Sequence, residues 1–241
     1  MLTKHRITSR YAIISSDNCC AGFKNNLFQF YLQYLVDEGV FERIDYKTLI
    51  PGHTYSCADR CFGVIEKEAL RNDVIELPSD WVRIIERSSL SKSYNAELLT
   101  FKDMYDYESF FKNRFTKRFK DNDSKKFRYE ESHYFNYGIG ERLCGGEVKL
   151  FSHPGIAWIR KSIDPKEIPR EVSYVKKRQM RGLSHCELSL LRTELKPLPE
   201  KVFRDINEMA IKYLSLNAQK WYSKLPCETE FDPFEFSFKD Y

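Results

Sequence analysis

The sequence lacks the features that would direct it to a membrane or to secretion. No apolar run approaches the roughly 20 residues that a membrane-spanning helix needs. Residues 1–10 are polar and basic, and the apolar run that follows them is too short for a secretory signal. The seven cysteines are an odd number, which is typical of free thiols in a reducing compartment. We therefore expect a nuclear or cytoplasmic protein that is not secreted and does not cross a membrane.

Two common motifs of nucleotide-binding and hydrolytic enzymes are also missing. The glycines of Gly138-Ile139-Gly140 are followed by neither a Lys-Ser/Thr pair nor a convincing helical pattern, so they do not form a phosphate-binding loop. No Gly-x-Ser-x-Gly sequence occurs, which excludes the usual nucleophile turn of α/β-hydrolases. Disorder is equally excluded, because 42% of the residues are hydrophobic and 15% are aromatic.

The first third of the chain has an alternating α/β pattern. Short strands are predicted at Tyr11–Ser16 and Ile44–Ile50, and helices from about Asn25 to Glu38 and from about Ala58 to Arg71. Polar residues are concentrated after both strands. Because sites in open α/β sheets form outside the carboxyl ends of the strands, we expect the functional residues there.

Residues 120–241 are predicted to form a C-terminal α+β region. A soft domain boundary is placed after residue 119, giving domains 1–119 and 120–241. Pro197-Leu198-Pro199 precedes the clearest amphipathic helix of the chain. A further helix is predicted from Pro78 with Ser79 as its cap. Short strands are predicted at Val74–Leu77, Leu98–Leu99, Tyr134–Tyr137, Val148–Phe151 and Trp158–Ile163.

Four residues are candidates for catalysis. Asp17 follows the first strand, Asp59 and Glu66 lie on the second predicted helix, and His53 follows a Pro-Gly turn. Paired carboxylates at such positions can hold two divalent ions for phosphoryl transfer, and oxygen ligands suit Mg²⁺ or Mn²⁺. Each residue also has a plain structural interpretation: a turn or cap for Asp17, a first-turn acid for Asp59, a solvated face for Glu66 and a turn histidine for His53.

A basic stretch between residues 112 and 128 is the candidate nucleic-acid contact. Phenylalanines are interleaved with the cations, a composition that suits phosphate contacts and base stacking. A solvated amphipathic helix is the structural alternative. The candidate DNA-binding residues are Lys112, Arg114, Lys117, Arg118, Lys125, Lys126 and Arg128.

Two sequence blocks carry a family resemblance. The blocks SDNCCAGFKNN and PGHTYSCADRCFGVIEK resemble the core of a transposon-associated domain of eukaryotes, which is itself similar to RNase H-like, DDE-type transposases and integrases. The later PSDWVRIIERS, LLTFKDMYDYESFF and PLPEKVFRDINEMAIKYL are similar to its other blocks. The resemblance implies a partial RNase H-like core, with Asp17 as the second acid and Asp59, or else Glu66, as the third.

The chain departs from that family pattern in two places. Phe23 stands where the family usually has glutamine, and residues 1–16 contain no Asp or Glu to serve as the first acid. We therefore expect a chain that begins inside the domain and a catalytically incomplete transposase relative, with Mg²⁺ or Mn²⁺ bound at Asp17 and Asp59 only if the site is complete. The alternative is a non-catalytic nucleic-acid-binding or protein-interaction module. Without its neighbour, the Tyr11–Ser16 strand would be a bare apolar edge that favours self-association.

Overall fold

The described part of the chain contains five strands and six α-helices. The computed structural model describes residues 9–19, 23–49, 57–89, 91, 94–112, 115, 131–144, 147–164, 166–173 and 188–229, without the side chains of residues 57, 139–144 and 147–154. The strands are β1 (Tyr11–Ser16), β2 (Arg43–Thr48), β3 (Tyr134–Cys144), β4 (Glu147–Arg160) and β5 (Arg170–Ser173). The helices are α1 (Asn26–Asp37), α2 (Cys57–Ala69), α3 (Pro78–Arg87), α4 (Tyr107–Lys112), α5 (Glu200–Tyr213) and α6 (Leu216–Tyr222), with a short 3₁₀ turn at Phe101–Asp103.

The chain divides into two compact units, and each is built from two separate stretches of sequence. The first unit comprises Met1–Thr54 and Tyr105–Ser189, and the second comprises Tyr55–Met104 and Leu190–Tyr241. The predicted boundary after residue 119 lies outside the described residues. Among the residues that are described, none of the helices has the length and apolar character needed to cross a membrane.

The first unit contains a mixed five-stranded sheet in the order β1-β2-β3-β4-β5. β1 and β2 are parallel and are joined through α1, whereas the β2–β3, β3–β4 and β4–β5 pairs are antiparallel. The predicted α/β class is therefore confirmed. Within the described residues β1 pairs with β2 alone and forms one edge of the sheet. Tyr11 and Ile13 on this strand are 56% and 71% exposed.

The core of the first unit lies between one face of the sheet and the helices α1 and α4. Phe30, Leu32 and Leu35 of α1 are buried against alternate residues of the central strands, among them Tyr46 and Phe135. In β2 the buried positions are Ile44, Tyr46 and Thr48, and the residues between them lie on the opposite face of the sheet. The nearly all-round apolar sequence of α1 predicted this burial.

Two glutamines of α1 are also fully buried. Gln29 accepts a hydrogen bond from the hydroxyl of Tyr137, and the Gln33 amide donates to Asp37 at 2.8 Å. The same Asp37 oxygen accepts the backbone N–H of Gly155 at 3.1 Å, which links the end of α1 to β4. Burial raises the pKa of Asp37 above its ordinary value, although these two hydrogen bonds oppose the rise.

Gly138 occupies a position in β3 that excludes any side chain. Its φ is +96°, and the pairing of β3 with β4 shifts register between Tyr137 and Ile139. A Cβ atom built on Gly138 would lie 2.1 Å from the carbonyl oxygen of Glu42 and 3.1 Å from a methyl group of Val36. The backbone of β3 therefore approaches the residue before β2 more closely than any other amino acid allows.

The second unit contains α2, α3, α5 and α6. The turn before α3 is tied to α6, since the Glu76 carboxylate accepts the backbone N–H and hydroxyl of Ser215, and the Tyr222 hydroxyl donates to the Glu76 carbonyl. Ser215 is the cap of α6, and its hydroxyl accepts the Ala218 N–H. Glu76 therefore joins two segments that are distant in sequence.

Three sequence predictions are wrong. Val74–Leu77 is not a strand, because the N–H groups of Glu76 and Leu77 donate to the Asp80 carboxylate and so begin α3. For the same reason Leu77, and not Ser79, is the cap residue of α3. Leu98–Leu99 has no regular structure. The predicted strand at Trp158 is the end of β4, and β5 was not predicted.

Candidate functional site

The carboxyl ends of β1 and β2 lie side by side at one end of the sheet. The strands are parallel, and Ser16 pairs with Thr48 at the last position of the ladder. Asp17 follows directly and is exposed. A β–α–β unit places the residues after its strands at the same edge of the sheet, which is where ligands bind in this class of protein. The predicted location of Asp17 is therefore confirmed.

The Asp17 carboxylate forms one long hydrogen bond with the described residues around it. One oxygen accepts the Cys19 N–H at 3.4 Å, which is a long hydrogen bond and marks a turn. The cap of α1 is Asn25, whose side chain accepts the Phe28 N–H at 2.9 Å. Asp17 therefore marks a turn, but through a single long hydrogen bond. Asn25, and not Asp17, caps α1. Among the described residues, the Asp17 carboxylate accepts this one hydrogen bond from Cys19, although a carboxylate can accept several.

Lys24 connects the residues just before α1 to Asn18 and Cys19. Only 3% of Lys24 is exposed, and its ammonium group donates to the side-chain oxygen of Asn18 at 2.6 Å. Its backbone N–H donates to the Cys19 carbonyl at 3.2 Å. The sequence analysis did not single out Lys24. Its position beside Phe23 and directly before the Asn25 cap is the signal that could have identified a buried lysine.

Hydroxyl groups and a histidine surround the end of β2. The hydroxyls of Ser16 and Tyr46 are hydrogen bonded at 2.7 Å. Thr48 contacts His133 in the residue before β3: its backbone N–H donates to the His133 carbonyl at 2.9 Å, and its hydroxyl lies 3.0 Å from His133 Nδ1. His133 is a second candidate that the sequence analysis missed, because only the β2–β3 pairing brings it to this edge.

The other predicted site residues belong to α2 or α4, or lie outside the described residues. Asp59 and Glu66 are exposed on α2 in the second unit, with Asp59 in the first turn, where a carboxylate stabilises the helix dipole. His53 lies outside the described residues. Lys112 is exposed at the end of α4, and the remaining basic candidates, Arg114, Lys117, Arg118, Lys125, Lys126 and Arg128, also lie outside the described part of the chain.

The described side chains do not by themselves form a multidentate metal cluster. Across the parts of the chain that the structure describes, no group of three or more His, Cys, Asp or Glu residues is arranged to hold an ion. Of the residues that the structure describes at the carboxyl edge, Asp17 contributes an exposed carboxylate and His133 a partly exposed imidazole. Oxygen and nitrogen donors of this kind bind divalent metals when substrate and water complete the coordination.

A separate charged network lies on the sheet face opposite α1. Asp45 accepts hydrogen bonds from Arg43, Tyr134 and Asn136 at 3.0, 2.8 and 2.5 Å. Burial alone would raise the pKa of Asp45, but these donors lower it below its ordinary value. The guanidinium of Arg160 lies 4.1 Å from the centre of the Tyr134 ring, a cation–π contact. All three donors bind the same Asp45 oxygen, and the network joins β2 to β3.

The comparisons with known proteins give one match. A family profile described as a domain of unknown function, DUF7869, matches residues 5–137, which is more than half of the chain. Neither the curated proteins nor the solved structures contain a match to the chain. The matched residues include Asp17, Lys24, Asp59 and His133. The chain therefore belongs to the DUF7869 family.

Proposed function

We propose that the chain derives from an RNase H-like, DDE-type transposase and that the carboxyl edge of β1 and β2 is its site. The observation that supports this proposal is the exposed carboxylate of Asp17 at the end of a parallel strand, next to the hydrogen bond between Asn18 and the buried Lys24. The proposed partner is DNA, and the proposed location is the nucleus or cytoplasm.

The metal in this proposal is Mg²⁺ or Mn²⁺. Mg²⁺ is commonly held by one or two carboxylates together with substrate phosphates and water, so a single well-placed carboxylate fits the role. Asp17 would be that ligand, and the family resemblance adds Asp59 or Glu66. A bound divalent ion neutralises phosphate charge and polarises the phosphoryl oxygen. The proposal is metal-dependent DNA binding, and strand cleavage, which needs a complete set of acids, is not part of it.

The test measures Mn²⁺ binding to the full chain, with and without a DNA oligonucleotide, from the electron paramagnetic resonance signal of free Mn²⁺. Asp17→Asn is expected to weaken binding at least about tenfold, because a neutral amide replaces a charged oxygen ligand of the proposed site. Asp73→Asn changes an exposed aspartate of the second unit and is the matched control. It should leave the affinity unchanged.

DNA binding is followed in parallel by fluorescence anisotropy. If Asp17→Asn binds Mn²⁺ as the unmodified chain does, Asp17 is not a metal ligand and the proposal fails. If DNA binds equally well with Mn²⁺ and with a chelator, and weakens steeply with salt, the chain is a metal-independent DNA-binding module. If neither Mn²⁺ nor DNA binds, both functions are excluded.

A further inference from the structure

His133 is held rigidly at the same end of the sheet as Asp17. Its backbone carbonyl accepts the Thr48 N–H at 2.9 Å, and its own N–H donates to the Arg160 carbonyl at 3.2 Å. The residue is therefore bound to β2 on one side and β4 on the other. Neighbouring strands are about 4.8 Å apart, so the backbones of His133 and Ser16, on either side of Thr48, lie about 10 Å apart.

The contacts of Thr48 determine which nitrogen of the ring carries the proton. Thr48 is fully buried, and its hydroxyl donates to the Ser132 carbonyl at 3.4 Å. The hydroxyl oxygen also lies 3.0 Å from His133 Nδ1, and a hydroxyl can donate or accept at that distance. The Thr48 carbonyl oxygen lies 3.3 Å from the same nitrogen. Because a carbonyl oxygen can only accept, this hydrogen bond places an N–H at Nδ1.

The neutral ring consequently has its lone pair on Nε2. Histidines that ligate metals commonly donate their other ring N–H to a backbone carbonyl, which fixes the tautomer and the ring orientation. His133 has this arrangement, is partly exposed, and has no Nε2 partner among the described residues. The ring is therefore already oriented for a ligand at Nε2.

We infer that His133 Nε2 is a nitrogen ligand of the divalent metal at the Asp17 edge. This inference rests on the proposed function and extends it with a second ligand and a metal preference. Mg²⁺ is a hard ion that prefers oxygen, whereas Mn²⁺ belongs to the divalent series that also binds nitrogen donors. A site with one carboxylate and one imidazole therefore favours Mn²⁺ over Mg²⁺, and it leaves coordination positions for the phosphates of DNA.

Nuclear magnetic resonance of the histidine rings tests the inference. The full chain is labelled with carbon-13 at Cε1 of its five histidines, and substoichiometric Mn²⁺ is added. The His133 signal, assigned with His133→Gln, is expected to broaden because a paramagnetic ion is bound to the neighbouring nitrogen. Nitrogen-15 shifts of the ring report the tautomer, which is expected to carry its proton on Nδ1.

Affinity measurements on variants test the role of Thr48. Thr48→Val removes the hydroxyl partner of His133 Nδ1 and is expected to weaken Mn²⁺ binding at least about tenfold, as is typical when the group that orients a metal ligand is lost. Thr48→Ser keeps the hydroxyl and the carbonyl and should bind nearly as well as the unmodified chain. His133→Gln should lower the preference for Mn²⁺ over Mg²⁺ at least about threefold, a change that a purely structural histidine would not cause.

The outcomes separate the inference from the proposed function. Broadening at His133 that disappears in Asp17→Asn supports both. Mn²⁺ binding that depends on Asp17, with a sharp His133 signal and an unchanged Mn²⁺/Mg²⁺ ratio in His133→Gln, overturns the inference and leaves the proposed function standing. Mn²⁺ binding that depends on neither residue overturns both.

Discussion

Gly138 allows the close approach of β3 and β2 to be tested with a single added methyl group. In Gly138→Ala the new Cβ would lie 2.1 Å from the Glu42 carbonyl oxygen, so the backbone must move. Positive φ costs a non-glycine residue about 1–2 kcal/mol, and overpacking typically adds about 1–3 kcal/mol. The expected loss in the free energy of unfolding is therefore about 2–5 kcal/mol.

Gly39→Ala is the matched control in the same unit. Gly39 also has a positive φ, +73°, but a Cβ there would have no atom within 4 Å. Gly39→Ala should therefore lose only the part of the free energy of unfolding that a positive φ costs a non-glycine residue. The difference between the two variants isolates the contact with Glu42, at about 1–3 kcal/mol.

Urea unfolding measures this difference. Trp158 is buried in the first unit, so its fluorescence in a Trp81→Phe, Trp221→Phe background reports on that unit alone. With a slope of about 2 kcal/mol per molar urea, the midpoint of Gly138→Ala should fall about 0.5–1.5 M below that of Gly39→Ala. Equal midpoints would refute the close approach of Gly138 to the Glu42 carbonyl.

Three further predictions follow from the buried polar groups and the sheet edge. Tyr137→Phe leaves the fully buried Gln29 oxygen without its donor and should cost about 1–3 kcal/mol in urea unfolding, whereas the double variant with Gln29→Leu should recover most of this loss. Asp37 has a raised pKa in the folded state, so its contribution to stability is greatest below the ordinary aspartate pKa of 3.8 and declines as pH rises through the folded value. Asp37→Asn should match the unmodified chain near pH 4 and exceed it at pH 7, and a gap that widens on acidification would contradict this. Ile13→Lys should reduce concentration-dependent self-association in light scattering, while Leu70→Lys, at another exposed site, should not; a chain that stays monomeric at every concentration would count against pairing through β1.

The sequence predicted those helices and strands that are determined by residues close together in the chain. The run Tyr11–Ser16 ends in polar residues, α1 has apolar residues on nearly all sides, and α5 has a clear helical stripe; all three are present close to the predicted bounds. Each depends on neighbours within a few residues in the chain. The same is true of the position of Asp17, which needs only the end of β1 to be located.

The missed features depend on partners that are distant in sequence. β5 has the sequence Arg-Glu-Val-Ser, which shows no apolar alternation, and only its pairing with β4 makes it a strand. His133 reaches the candidate site because Thr48, far back in the chain, binds its ring. Val74–Leu77 has the composition of a strand, but the nearby Asp80 carboxylate binds its N–H groups.

The pairing of β2 with β3 also has a consequence for synthesis on the ribosome. β1, α1 and β2 are translated first, but 85 residues separate Thr48 from the His133 that it binds. At about 5–20 residues per second, the ribosome needs roughly 4–17 s to produce that segment. During this interval the nascent β2 has one hydrogen-bonding edge with no β3 to cover it. Chaperones that bind extended segments would therefore act on this protein in the window between the translation of residues 48 and 133, and a slower ribosome would prolong the period in which β2 can misassemble.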